Sequence, residues 1–507
     1  MENTINRRDF LKLTGLLPLS LVTPRFMQAP QGQKNVLVIV FDAFSAYNIS
    51  LYGYSRETTP NIAKLAERSI VYNNHHAGGN FTTSGTASLL TGTHPWTHRA
   101  FELNSEVAQS VATHNIFNLF KDHYRIAYTH NSVADILLKQ FQNDIDELIP
   151  RDQLLLGSYG KFIQTLFMND EDTATVSWIR NIKSKETGYA YSLFLSHLYQ
   201  PLQDNLVRNI SSQFPRGIPT ANYDDGFVLG QAIDEISKRL AVIPQPFLGY
   251  FHFLPPHSPY RTSLEFYNKF SKDGIEPVEK PLSAFSHKQD KFDHLRERLE
   301  YDEYILHVDE EFGRLYDHLE SKGLLENTIL ILTSDHGELH ERGINGHSTA
   351  ILYEPVIHIP LLIFEPGRKT RLDINTMTSA IDLLPTLLHL TGQTIPEWAE
   401  GVILPPFAQI PEDPARKIYV MRASKNKQDQ PIAVAASVTM IKGKYKIHYY
   451  MDYDDLKKNG QNELICLFDI VADPEELVDL SISHQEIADE LLAELKAKLA
   501  EVNEPYL

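Results

Sequence analysis

Val36-Leu37-Val38-Ile39-Val40, continued by Phe41-Asp42, is an unbroken apolar run rich in β-branched residues that ends on a carboxylate. A strand with no polar residue on either face is buried on both, as in a parallel sheet covered by helices. Runs of the same kind recur at Phe247 to Phe253, Ile329 to Thr333 and Pro360 to Phe364. Helical patterns lie between them. Thr59-Pro60 supplies an N-cap and a proline at the first helical position. Tyr301, Ile305, Val308, Phe312, Leu315 and Leu319 recur along one face at helical spacing. Buried strands alternating with helices predict an α/β fold, a mostly parallel sheet sandwiched by helices.

Beyond Pro405 the texture changes. Residues 417–452 alternate as short strands, among them Ser437 to Ile441 and Tyr445 to Tyr450. A closing amphipathic helix follows, with Ser483 and Glu486 as a capping box and Ile487, Leu491, Leu495 and Leu499 on one face. These patterns predict a main body over 34–405 and a small α+β subdomain over 415–507. Within the main body, 140–225 is aromatic-rich and shows no period.

The chain has 507 residues, 42% of them hydrophobic and 22% charged, which is globular composition and not that of a disordered chain. A single cysteine, Cys466, excludes an internal disulfide and a cysteine-cluster metal site. With 47 Lys+Arg against 65 Asp+Glu the net charge is −18, which speaks against a nucleic-acid partner. Asn6-Arg7-Arg8-Asp9-Phe10-Leu11-Lys12, followed by the apolar stretch Leu13 to Val22, has the layout of an export signal. The apolar stretch falls short of the ~20 residues that span a bilayer. Its paired arginines resemble a twin-arginine signal, expected over 1–30. The protein is then expected outside the cytoplasm, in periplasm or cell envelope or secreted, and membrane-attached where the signal stays uncleaved. No later run is long and apolar enough to predict a transmembrane segment.

Open α/β sheets bind ligands just beyond the carboxyl ends of their strands. Three strand ends carry reactive residues here. The first ends at Asp42, the strand at 329–333 leads to Ser334-Asp335-His336-Gly337, and that at 247–253 leads to Pro255-Pro256-His257-Ser258-Pro259-Tyr260. Hard oxygens with one imidazole suit a divalent cation. A fourth segment, Asn80-Phe81-Thr82-Thr83-Ser84-Gly85-Thr86, runs hydroxyl groups into a helix whose first amides suit an anion.

Together these segments resemble the sulfatase family of the alkaline phosphatase superfamily, in the family's own order. Thr59-Pro60-Asn61-Ile62 with Leu65-Ala66 is similar to its "TPNLDRLA" helix, and Ser88-Leu89-Leu90-Thr91-Gly92 to the end of its C/S-x-P-S-R-x-S-L-L-T-G signature. Asn327 to Glu338 resembles "NTIVVFTSDHGE", and Pro256-His257-Ser258-Pro259-Tyr260 its "PHxPY" element. Asp382 to Leu388 resembles "DLxPTLL", and Leu467-Phe468-Asp469 with Asp473-Pro474-Glu475 its C-terminal "LYDLxxDPxE". The resemblance implies an alkaline-phosphatase-like α/β fold.

The departures decide the chemistry that the resemblance implies. Thr82 stands where a sulfatase has the Cys or Ser that becomes formylglycine, with Ser84, Gly85 and Thr86 replacing its Pro, Ser and Arg. Ala43 follows Asp42 where the family has the second carboxylate of an Asp-Asp pair at the end of its opening strand. This pattern is closer to the threonine-nucleophile branch, the phosphodiesterases and phosphoethanolamine or phosphoglycerol transferases. Carried over, Asp42, Thr82, Asp335 and His336 hold one divalent metal ion (Mn, Ca, Mg or Zn), and Thr82 is the nucleophile. His257 binds the ester oxyanion or protonates the leaving group, and His347 contacts substrate. The expected activity is cleavage of an anionic phosphate ester, by hydrolysis or by transfer. A sulfuric ester hydrolase and a non-catalytic binding member are the alternative readings. Thr83 is the register rival of Thr82, Asp309 is expected to make a structural contact, and His130 to lie on a surface turn. His94 and His98 carry no assigned role.

Overall fold

The computed structural model describes residues 33–156, 208–221, 226–286, 291–408, 413 and 415–507. The expected export signal and most of the 140–225 stretch lie outside the described residues. An eight-stranded sheet forms the centre of the main body. Its strands are β1 (Asn35–Asp42), β2 (Ser69–Tyr72), β3 (Tyr124–Thr129), β4 (Glu147–Leu148), β5 (Phe247–Pro256), β6 (Thr328–Thr333), β7 (Leu361–Phe364) and β8 (Leu372–Ile374). They lie in the order β8-β2-β7-β6-β1-β5-β3-β4, and only β7 runs antiparallel to its neighbours.

β1 sits between β5 and β6 and is buried along its whole length. Its alternate residues explain the unbroken apolar run. Leu37, Ile39 and Phe41 face a core completed by the helices Leu229–Leu240 and Lys291–Ser321, whereas Val36, Val38 and Val40 face one completed by Leu89, Leu90, Leu384 and Leu387. Full burial of each such side chain contributes roughly 1.5–3 kcal/mol. The long helix turns Tyr301, Ile305, Val308, Phe312, Leu315 and Leu319 inward, as their spacing predicts.

Two end signals act differently from the sequence expectation. The helix Pro60–Ala66 starts after Thr59, but the Thr59 side chain makes no capping bond. Asp309 of the long helix caps it instead, accepting from the backbone N–H of Asn61 and of Ile62 at 2.8 Å each. That is the structural contact expected of Asp309. The last helix begins at Gln485 with no side-chain cap, so the Ser483–Glu486 box does not form. The Ser483 hydroxyl turns back to Leu480 O and His484 Nδ1.

Four antiparallel strands, β9 (Lys417–Arg422), β10 (Ala436–Lys442), β11 (Tyr445–Met451) and β12 (Glu463–Asp469), form a second sheet in chain order. The helix Gln485–Asn503 covers it through Leu491, Leu495 and Leu499. Cys466 is a free, buried thiol within β12. Buried ions tie this sheet to the main body: Lys446 Nζ of β11 lies 2.7 Å from Glu354 and 2.9 Å from Glu476. Among the described residues no helix is long and apolar enough to cross a membrane.

Candidate active site

The carboxyl ends of β1 and β6 lie side by side, and Ser334 laces them together. Its hydroxyl donates to Phe41 O at 2.7 Å and accepts from Phe44 N–H at 2.9 Å. Asp335 is oriented by backbone donors, Ala43 N–H at 3.3 Å and His336 N–H at 3.0 Å. Ala43 takes a left-handed backbone (φ 58°), and its carbonyl accepts from the Tyr301 hydroxyl at 2.5 Å. A strained turn held from both sides is what aims Asp42 and Asp335 at one point.

Thr82 arrives from the other direction, as the first residue of the helix Thr82–Thr91, every residue of which is buried. Gly85 allows the approach, since a Cβ there would stand 2.2 Å from the Asp335 carbonyl oxygen. The Thr82 hydroxyl lies 3.4 Å from His336 Nε2. His336 Nε2 is also 3.4 Å from Asp42 Oδ1 and 3.6 Å from Asp335 Oδ2. The structure thus brings all four expected ligands together. Thr83, by contrast, is buried with its hydroxyl unpartnered and does not join the cluster.

The cluster fits a divalent cation on three counts. Asp42, Asp335 and His336 offer ligand atoms all within 4.8 Å of one another. Asp42 Oδ1 is buried yet accepts no hydrogen bond, and such an orphan calls for a positive partner. His336 Nδ1 donates to Gly337 O at 2.8 Å, which leaves Nε2 as the lone-pair nitrogen facing the carboxylates. The electrostatics agree. Burial alone would raise the Asp42 carboxyl, but His257, His252 and His336 outweigh it and hold it well below the usual range. Burial and the neighbouring Asp42 push Asp335 up. Two carboxylates this close, driven apart in acidity, are a site prepared for added positive charge.

His257 and His347 stand beside the cluster. The His347 ring centroid is 4.1 Å from that of His336 and 4.9 Å from that of His257. Burial pushes the His257 imidazole down, but Asp42 and Glu338 outweigh it and leave it above its ordinary value.

Two neighbours escaped the sequence reading. Asn131 donates from Nδ2 to Asp42 Oδ2 and, at 3.3 Å, to the Thr82 hydroxyl. Its Oδ1 caps the helix Ser132–Gln140, so in sequence it reads as an ordinary N-cap. His252 of β5 places Nε2 3.3 Å from Asp42 and 3.7 Å from Asp335. The available signal was a polar residue inside the apolar run Phe251-His252-Phe253, because a buried polar group needs a partner. His130 is not on a surface turn: it is fully buried, its ring stacked on Phe227 at 4.3 Å between centroids. His98 lies 3.1 Å from the Ser88 hydroxyl, and His94 packs on Trp96.

Comparison with known proteins matches residues 34–393 to the sulfatase family model and 347–505 to that of the N-sulphoglucosamine sulphohydrolase C-terminal region. Arylsulfatase K of Canis lupus familiaris is 27% identical over 303 residues, 53% of this chain and 54% of that protein. The chain therefore spans about half the length of these relatives. An ulvan-active sulfatase of Formosa agariphila is 24% identical across 98% of this chain and 89% of its own. Among solved structures, a phosphonate monoester hydrolase of Agrobacterium radiobacter superposes with a TM-score of 0.65 at 16% identity, covering 94% of this chain and 96% of that one. Its likeness lies in the fold, a mostly parallel sheet between helices. With a family model matched from before β1 to past the helix Leu383–Leu390, the chain belongs to the sulfatase family, within the alkaline phosphatase superfamily.

Proposed function

We propose that the protein is a metal-dependent hydrolase or transferase that cleaves an anionic phosphate ester with Thr82 as nucleophile. The observation that carries this reading is the Thr82 hydroxyl at the head of its helix, 3.4 Å from His336 Nε2, in the place of a formylglycine precursor. A divalent cation held by Asp42, Thr82, Asp335 and His336 would favour the threonine alkoxide and neutralise charge on the phosphoryl oxygens. Asn131 holds the Thr82 oxygen and the Asp42 carboxylate in register. The unpaired amides of the first helical turn face the same end and suit the anionic group. Thr82 Oγ, as the alkoxide, forms the bond to phosphorus while the ester oxygen departs with a proton from His257. Water or an acceptor hydroxyl then displaces the phosphoryl group from Thr82.

Sulfuric ester hydrolysis is the second reading, because the curated relatives are named sulfatases. A sulfothreonine lacks the hydrate hydroxyl that expels sulfate by elimination from formylglycine, so phosphorus is favoured. A common leaving group on phosphate monoester, phosphate diester and sulfate ester separates the readings. Phosphate-ester cleavage is expected well above sulfate-ester cleavage, lost on chelation and restored by Mn or Zn. Thr82→Ala should abolish it, and Thr83→Ala should keep most of it. Dominant sulfatase activity would overturn the phosphoryl reading, and metal binding without turnover would point to a binding protein. The same proposal places the enzyme outside the cytoplasm through residues 1–30. A reporter fused behind them should be exported only when the Arg7-Arg8 pair is intact.

A further inference from the structure

Glu338 lies two residues beyond His336 and takes no part in the ligand cluster, yet it is fully committed. Its side chain is buried, with Oε1 3.1 Å from His347 Nδ1 and Oε2 accepting from the Tyr260 hydroxyl at 3.2 Å. Tyr260 is itself fixed by the rings of Tyr301 and His340, each 5.4 Å away between centroids. The His347 ring is meanwhile wedged between His336 and His257. An ionised carboxylate only accepts, so the nitrogen facing Glu338 must carry the proton. Nε2 of His347 is then left as a lone-pair acceptor, for the O–H of an acceptor alcohol or of the attacking water.

The neighbouring imidazoles are set the same way by backbone: His336 Nδ1 donates to Gly337 O at 2.8 Å and His257 Nδ1 to Ser258 O at 2.7 Å. Of these three, His347 is the one that depends on a side chain for this. Nor is Glu338 needed to close the loop between them. Backbone pairing of His340 with Asn345 and of Glu341 with Ile344 does that, together with Gly346 N–H donating to Leu339 O at 2.9 Å.

We propose that Glu338 is a positioning residue for His347: it holds the imidazole in the Nδ1–H tautomer with the Nε2 lone pair presented to the water or acceptor hydroxyl that attacks the phosphoryl group, and Tyr260 holds Glu338 in place. This rests on the reading of Asp42, Thr82, Asp335 and His336 as the reacting centre. A carboxylate that orients an imidazole in this way is typically worth 10- to 100-fold in activity.

The test compares metal-loaded wild type with Glu338→Leu, which removes the acceptor, Glu338→Gln, which keeps one, and His347→Gln. Glu338→Leu should lower kcat by about 10- to 100-fold, with KM changed less than about threefold. Glu338→Gln should recover part of the loss, and bound metal should stay constant. The double variant Glu338→Leu/His347→Gln should be no slower than His347→Gln alone. Ring 15N shifts, assigned by the signal lost in His347→Gln, should show Nδ1–H in wild type and a shifted tautomer balance in Glu338→Leu. Additive losses in the double variant, or an unchanged tautomer, would overturn the proposal. Should Glu338→Leu not fold, Tyr260→Phe and Glu338→Gln carry the same comparisons. If wild type turns over none of the esters, the reading of the reacting centre fails, while the tautomer result still decides the role of Glu338.

Discussion

At the scale of single residues, adjacent side chains with the same chemistry have different fates. Thr82 and Thr83 are neighbours in sequence, but only the Thr82 hydroxyl meets His336 and Asn131. The family likeness singled out Thr82 with Thr83 as its rival, and the first helical turn brings the Thr82 hydroxyl to His336. Asn131 is the converse, since its capping role is legible and its reach to Thr82 and Asp42 is not. The two roles are separable. A serine at this position keeps an N-cap oxygen but has no amide to reach across the site. Asn131→Ser should therefore leave the thermal midpoint nearly unchanged and lower kcat by about 10-fold or more, as loss of a group that orients ligands does. Equal losses of stability and turnover would show that its only role is the cap.

At the scale of elements, the site depends on two backbones approaching closely. The helix Thr82–Thr91 can lie against the end of β6 because Gly85 has no side chain, and the Asp335 carbonyl occupies the space a Cβ would need. Gly85→Ala should force the helix and the Asp335 loop apart, at an overpacking cost of about 1–3 kcal/mol. Metal affinity measured by titration should fall further than stability measured by urea unfolding, because ligand geometry tolerates less displacement than packing does. A variant that binds metal like wild type would show that the loop yields without moving its ligands. Elements also explain which end signals misled. Thr59 and the Ser483–Glu486 pair are good local caps, but Asp309 arrives from the long helix to serve the first, and the last helix starts one residue too late for the second. Local pattern identifies the helix; the partner that satisfies its first N–H groups is set by packing.

At the scale of the whole molecule, the second sheet is held to the first by charge as well as by apolar contact. Lys446 pairs with Glu354 and Glu476, and the Glu354 N–H donates to Glu476 at 2.8 Å. The turn Glu354–Ile357 in turn accepts from Gly337 N–H at 2.7 Å and Glu338 N–H at 3.0 Å, so the C-terminal sheet supports the loop that carries Asp335 and His336. Burial would raise both carboxyls, but Lys446, together with His448 at Glu476 and His76 and His358 at Glu354, outweighs it. Glu476 is lowered from 4.5 to about 2, and Glu354 lies well below its ordinary value. Such depressed carboxylates contribute stability that is present above the ordinary value of 4.5 and lost as pH falls toward 2. Lys446→Met leaves two buried carboxylates without a cation and should cost about 3–5 kcal/mol at pH 7. Without the cation both carboxyls rise, so the variant gains stability on acidification while wild type loses it. The gap in urea midpoint should narrow between pH 7 and pH 4.5, and a constant gap would exclude the mechanism. Sequence by itself determined the buried strands and the long helix, which depend on residue type and on period that a chain carries locally. Its motifs also carried the family likeness, and with it the expectation that Asp42, Asp335 and His336 meet. Tertiary structure alone decided that Asn131, His252 and Glu338 stand around that cluster, that Thr82 and not Thr83 faces it, and that Lys446 braces it from behind. Each of those is a contact between segments far apart in the chain, and local periodicity holds no record of where two such segments meet.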